Sequence, residues 1–409
     1  MAPHLLPSNA TEGLRELLNS ACRNDLPCAS ATVVSAISEL FHQETVPSIG
    51  QDDDGQLAHK HECGDRVYWL ASCTKLVTAI ACMQLVEQKK LSLDDGNQLE
   101  GLCPELRDVK VLESDGSTTE KNKRITLRML LTHTGMHISL VKTQSQLLIS
   151  SQAGFGYSFL NKKLDKYNEF SGSVPEMHQP LVNQPGERFE YGISMDWAGI
   201  AVERATQTKL DDYMQKHIFE PSGINDMSFL PSKDMKARLA GFWQRDADDR
   251  LSPRQYPLSK PLVPDQASEM FQSGGAGLWG TAREYSKLLR VLLNNGTSPL
   301  TGKAILQPDT VEIMFENQLT RDPDFARTSL LAVKPELGWG LGFMISPGVT
   351  GRSKHTAHWS GLSNCFWWCD REKGVAGIVA SQLLPFPDLK VVQLWANVEE
   401  ATYNGLQEN

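Results

Sequence analysis

The chain has 409 residues, of which 22% are charged and 40% apolar, and 40 Lys and Arg stand against 49 Asp and Glu for a formal net charge of -9. That is the balance of a folded globular protein rather than a disordered one, long enough for a large core and two lobes. The acidic excess argues against a nucleic-acid partner, which needs a concentrated basic face; the short run Lys121-Asn122-Lys123-Arg124 sits in a polar stretch and reads as a solvated loop.

The opening MAPHLLPSNATEGLRELLNSACRN has no charged segment ahead of a sustained apolar core, so no signal peptide is expected. No apolar run approaches the roughly 20 residues of a membrane span. The expectation is a soluble, cytoplasmic protein with no membrane partner. The eight cysteines are scattered, without CxxC pairs or histidines at ligand spacing, and read as free buried thiols rather than a metal site.

Leu14, Leu17, Leu18 and Cys22 share one side of a helix over 10–23, and ASATVVSAISEL at 29–40 reads as β. Residues 46–64 are polar and read as a hairpin connection. The stretch WLASCTKLVTAIACMQLVEQKK, 69–90, becomes a helix near Ser72, with Leu76, Ala79, Ile80, Met83 and Val86 forming its apolar stripe. RITLRMLLTHTG, 124–135, is a second amphipathic helix stopped by Thr134-Gly135. Residues 136–185 form a long irregular segment, of the kind that covers a site. A further helix runs from about Ser194, and the glycine-rich SGGAGLWGT, 273–281, introduces the helix AREYSKLLRVLLNN. Residues 337–347, 354–370 and 374–384 read as three strands, and a terminal helix covers about 388–404. Strands near both ends with helices between predict an α/β (α+β) architecture. A sheet domain is built from 1–90 and 275–409, a mostly helical domain over 91–274 is inserted, and the active site lies at their interface.

Three features could carry chemistry. Ser72-Cys73-Thr74-Lys75 is an S-x-x-K tetrad at a helix start, where residues three apart share a face and free N–H groups favour an oxyanion. Lysine can take the proton from such a serine and make it a nucleophile. The structural alternative is an N-cap serine beside a lysine that snorkels to water. In QPGERFEYGIS, 184–194, Tyr191 follows a Pro-Gly turn and precedes a helix; it is either a core tyrosine or a base partnered by Lys75. In His358-Trp359-Ser360-Gly361-Leu362 the small residues let a substrate pass close to a strand edge, where the Leu362 N–H can join that of Ser72 in an oxyanion hole; the alternative is a strand with a glycine bulge. Cys73 points about 100° away from Ser72 around a helix and reads as packing.

In this order, S-x-x-K, a tyrosine loop opening a helix, and the Trp359-Ser360-Gly361 strand resemble the serine β-lactamase-like family of class C and penicillin-binding-protein type. The chain is most similar to its fungal lovastatin-type acyltransferases, or transesterases, of secondary metabolism. LASCTKLVTAIACMQLVE, ITLRMLLTHTG, YGISMDWAGIAVERAT, GINDMSF and SQLLPFPD carry the likeness over nearly the whole chain. Ser194 stands where lovastatin-type members have Asn, HTGM is a residue shorter than their HTSGL, and WSGL replaces a glycine-rich version of the third motif.

The resemblance implies a β-lactamase-like fold, an antiparallel sheet flanked by terminal helices with an inserted helical domain. It implies catalysis by Ser72, Lys75 and Tyr191, with an oxyanion hole at Ser72 and Leu362. Trp359, Ser360, Gly361 and Phe386 would bind substrate, with Phe386 as an aromatic wall. His133 is structural on this likeness. No cofactor or metal is called for. The implied reaction moves an acyl group from a thioester or ester donor, carried by an acyl carrier protein domain or coenzyme A, to a small-molecule alcohol or amine through acyl-Ser72. An esterase, lactonase or amidase using the same acyl-enzyme is the alternative, and a non-catalytic binding protein on the same scaffold is the third reading.

Overall fold

Ala29–Ser35, Cys365–Asp370 and Val375–Ala380 are buried at every position, as strands covered on both faces must be. They form the centre of a seven-stranded sheet, ordered Gly338–Trp339, Met344–Ile345, Ala357–Gly361, Cys365–Asp370, Val375–Ala380, Ala29–Ser35, Glu39–Thr45, with every pairing antiparallel. The computed structural model describes residues 4–45, 65–113, 115–134, 170–181, 183–187, 189–263, 270–319 and 338–408. The expected connection at 46–64 and most of the 136–185 segment lie outside the described residues.

Alternation along Cys365–Asp370 divides the core. Phe366 and Trp368 face the terminal helices Ser8–Asn24 and Leu389–Gly405, where Leu14, Leu18, Leu394 and Val398 cover them. Cys365, Trp367 and Cys369 face the larger core shared with the Thr74–Glu87, Ser194–Thr206 and Ala282–Leu293 helices. The terminal helices pack on each other, and His4–Leu5 pairs with Gln407–Glu408. Among the described residues no helix is long and apolar enough to cross a membrane.

Several boundaries differ from the sequence reading. The run at 354–370 is a hairpin, not one strand: Asn364 takes a left-handed φ of 63° and its N–H returns to the Gly361 carbonyl at 2.8 Å. The run at 29–40 breaks after Ser35, where the Ser35 and Ser38 hydroxyls are 2.9 Å apart. Residues 337–347 make two short strands around Gly342. Leu383–Leu384 leaves the main sheet and pairs in parallel with the Trp243–Arg245 strand. The helix expected over 124–135 is only Leu127–Leu131, capped by Thr126 and ended by His133 at φ 53°, before Thr134-Gly135. The Thr74–Glu87 helix has no apolar stripe set against a polar face, because it is buried on all sides from Thr74 to Leu85.

Candidate active site

Tyr68–Trp69 pairs with Trp279–Gly280, and the Gln382 side chain takes both the N–H and the carbonyl of Trp69, at 3.2 and 3.1 Å. The chain then bends at Ala71, whose φ of 45° costs an L-residue about 1–2 kcal/mol. Ala71–Cys73 is one 3-10 turn, so Ser72 precedes the α-helix rather than opening it from within. Lys75 lies three residues on, in the first turn of the α-helix that follows, and its Nζ donates to Ser72 Oγ at 3.1 Å. The turn is held from outside by Thr74 Oγ1, which donates to the Ala71 carbonyl at 2.6 Å and accepts from Leu278 N at 3.0 Å. Tyr285 OH adds a bond to the Cys73 carbonyl at 3.0 Å.

Lys75 does not snorkel. It is 2% exposed, donates to the Gly275 carbonyl at 2.8 Å, and lies 4.6 Å from the centre of the Tyr191 ring. A desolvated ammonium needs such partners. The half-buried Tyr191 accepts the Trp359 indole N–H at 3.2 Å, so positive ends meet it from two sides. Its ring also packs on His133, centroids 4.5 Å apart, and on Trp359 at 5.1 Å. The sequence reading gave His133 no chemistry, and it is fully buried with Nδ1 accepting the Gly192 N–H at 3.4 Å. Ser72, Lys75, Tyr191 and Trp359 thus meet, although they arise from three distant segments.

Two groups escaped the sequence reading. Asp196, in the first turn of Ser194–Thr206, is 5% exposed and accepts Ser273 Oγ at 2.5 Å and Gly275 N at 3.2 Å. Burial pushes its carboxyl up, opposed by the Lys75 ammonium and the Ser273 hydroxyl. The signal for Ser273 and Gly275 was the SGGAG run itself, which read as the lead-in to a helix and not as the source of a lysine acceptor.

The Ala357–Gly361 strand lies against the Ala71–Cys73 turn. Gly361 is required there, because a Cβ would overlap the Leu70 carbonyl oxygen and lie 3.2 Å from the Ala71 Cβ. Leu362 follows at the hairpin turn, and among the described residues neither its amide nor that of Ser72 has an acceptor. Asn364 anchors this turn by donating to the Leu383 and Pro385 carbonyls at 2.8 and 2.9 Å. Ser360 is buried on the same strand, and His358, held by Ser346 Oγ at 2.7 Å, is kept neutral by burial.

The remaining candidates separate from this group. Phe386, expected as an aromatic wall, is 7% exposed and stacks on Phe366 at 5.8 Å in the cluster shared with the terminal helices. Cys73 is fully buried, its thiol is pushed well up by that burial, and it donates to the Cys365 carbonyl. Ser194 is fully buried, with no partner for its hydroxyl among the described residues.

The Beta-lactamase family model matches residues 48–140 and 147–401. A lovastatin esterase from Penicillium rubens is 33% identical over 355 residues, 78% of this chain and 80% of that protein. A monacolin J acid methylbutanoyltransferase from Aspergillus terreus is 31% identical over 371 residues, 83% of this chain and 82% of that protein. Among solved structures, a mutant simvastatin synthase from Aspergillus terreus matches with a TM-score of 0.77 at 28% identity, over 97% of this chain and 95% of that one.

Proposed function

This chain belongs to the beta-lactamase family, and from that premise we propose that it is a serine-dependent acyltransferase of natural-product biosynthesis. Its acyl group comes from a thioester or ester donor, carried on an acyl carrier protein domain or coenzyme A, and passes to a small-molecule alcohol or amine. The observation that carries the reading is the buried Lys75 ammonium held between Ser72 Oγ, at 3.1 Å, and the Gly275 carbonyl. The named transferase relative supports transfer as the outcome.

Lys75 and Tyr191 together take the Ser72 proton as Oγ attacks the donor carbonyl. The tetrahedral oxyanion sits between the N–H groups of Ser72 and Leu362, each contributing about 3–4 kcal/mol. Tyr191 returns the proton to the leaving thiol or alcohol, leaving acyl-Ser72. It then accepts the proton of the incoming alcohol or amine, whose oxygen or nitrogen attacks the ester, and Ser72 recovers its own. Trp359, through its indole N–H, holds the Tyr191 oxygen in place for both halves. On this reading the site lies between the sheet part, 1–90 and 275–409, which supplies Ser72, Lys75 and Leu362, and the helical part, 91–274, which supplies Tyr191.

The second reading is a hydrolase in which water takes the acyl group, and the 33% identical lovastatin esterase favours it. Both readings share acyl-Ser72, and exclusion of water in the second step separates them. Incubation with an acyl N-acetylcysteamine thioester should give a single acyl adduct by intact mass, absent in Ser72→Ala; an adduct that persists in Ser72→Ala overturns the nucleophile. Adding alcohol acceptors should then divert product from free acid to ester. Free acid alone, whatever alcohol is present, decides for the hydrolase.

A further inference from the structure

The Ser273–Gly277 turn is bound on two sides. On one, three successive carbonyls each take a side-chain donor: Gly274 from Thr78 Oγ1 at 2.7 Å, Gly275 from Lys75 Nζ at 2.8 Å, and Ala276 from Trp69 Nε1 at 2.7 Å. On the other side stands Asp196. Ser273 Oγ and Gly275 N both donate to one of its oxygens, Oδ1, at 2.5 and 3.2 Å. The same Ser273 Oγ accepts Ala276 N at 2.9 Å, closing the turn on itself.

The packing leaves no slack. A Cβ on Gly275 would stand 2.5 Å from Asp196 Oδ2, and one on Gly274 would stand 2.6 Å from the Met195 carbonyl oxygen. The turn is therefore pressed onto the first turn of the Ser194–Thr206 helix, and Asp196 is the polar group at that contact. The charged group bearing on the carboxylate is Lys75, from the Thr74–Glu87 helix, and Tyr191 faces that lysine from the other side.

We propose that Asp196 is a positioning residue for the transfer: through Ser273 and Gly275 it sets the carbonyl that holds Lys75 against Ser72, and its charge balances the lysine ammonium in the buried site. The inference rests on the acyl-Ser72 reading above. Asp196 touches neither Ser72 nor a reacting atom, so its effect passes through Lys75. Its two contributions are separable, because both donors meet a single oxygen. Asp196→Asn can keep both hydrogen bonds while removing the charge, and Asp196→Ala removes both.

The test is steady-state turnover of p-nitrophenyl butyrate as a function of pH, for the wild type, Asp196→Asn, Asp196→Ala, Ser273→Ala and Ser72→Ala. A misplaced catalytic group costs up to about 100-fold. Asp196→Ala should lose kcat on that scale with KM little changed, whereas loss of a merely structural contact would not confine itself to kcat. Asp196→Asn should retain more of kcat and move the acid limb of the kcat/KM profile to lower pH, because a carboxylate beside an ammonium favours the protonated form. Wild-type kcat in Asp196→Ala, or an unmoved limb in Asp196→Asn, overturns the proposal. If Asp196→Ala fails to fold, Ser273→Ala cuts the same link with the carboxylate in place, and wild-type kcat there overturns it equally. Turnover that survives in Ser72→Ala sinks the acyl-Ser72 reading itself. An inactive Ser72→Ala beside unchanged Asp196 variants removes only the positioning role.

Discussion

Glu190 precedes Tyr191, and burial pushes its carboxyl up to about 8 from an ordinary 4.5. A carboxyl raised in this way keeps its proton in the folded chain over a range where the unfolded chain has lost it. Its contribution to stability is full below about pH 4.5 and is lost as the pH rises through about 8. Glu190→Gln should therefore flatten the fall in Tm between pH 4 and pH 9, a range that spans both of those values. Thermal melts of both proteins at the two pH values check this, and parallel falls would show that another group is responsible. Lys75 and Cys73 show how burial sorts neighbouring residues on one turn. The lysine is buried with two acceptors and a ring face, and so keeps its reach to Ser72. The thiol is buried with only a carbonyl to bond and is held in its inert protonated form.

The hairpin of Ala357–Gly361 and Cys365–Asp370 is the element on which the proposed oxyanion geometry depends. Its turn is tied to the Leu383–Asp388 segment through Asn364, which also accepts the Asp388 N–H at 2.9 Å. Its first strand ends at Gly361 against the Leu70 backbone, so the spacing between Leu362 and the Ser72 turn is set by the absence of a side chain. Gly361→Ala must push the strand away from Leu70 and Ala71, separating the two amides. We expect kcat to fall by about 100-fold, the scale of an ångström-sized misplacement, in a protein that still folds. An Ala variant with wild-type kcat would show that these two backbones do not set the oxyanion site. Trp359, on the same strand, is 7% exposed and gives its N–H to Tyr191. In the proposed mechanism it reaches the chemistry through that tyrosine.

At the scale of the molecule, the two chain ends form one layer. Helices Ser8–Asn24 and Leu389–Gly405 pack together over one face of the sheet, and the short His4–Leu5 and Gln407–Glu408 strands close it. A buried ion pair between Arg352 and Glu399, with Thr350 Oγ1 bonded to the same carboxylate at 2.7 Å, fastens the last helix to the sheet. The face that carries Phe366 and Trp368 is opposite the core that holds the Thr74–Glu87 helix, and this layer meets the candidate site at its edge, where Leu362 packs against it. Leu18 is fully buried in it, and Leu18→Ala should cost about 2–5 kcal/mol. Urea denaturation should show that loss while kcat, measured well below the melting range, stays at its wild-type value. A large fall in kcat would mean that the terminal layer shapes the site after all.

What the sequence determined by itself was local or periodic. Ser72 and Lys75 meet because they are three residues apart on one turn, and the strand face shared by Cys365, Trp367 and Cys369 follows from a period of two. The β-lactamase-like fold was legible because its motifs lie in order along the chain, and the family match and the antiparallel sheet agree with it. The tertiary structure decided the rest. Lys75 finds its acceptor 200 residues away at Gly275, Trp359 finds Tyr191 168 residues away, and Asp196 finds Ser273 across 77. Phe386 was assigned to a pocket from its place in a motif, whereas its stacking on Phe366 is a contact that only the folded chain supplies. Contacts of this kind leave no periodic trace in a sequence, because chain closure and side-chain packing, not spacing along the backbone, bring the partners together.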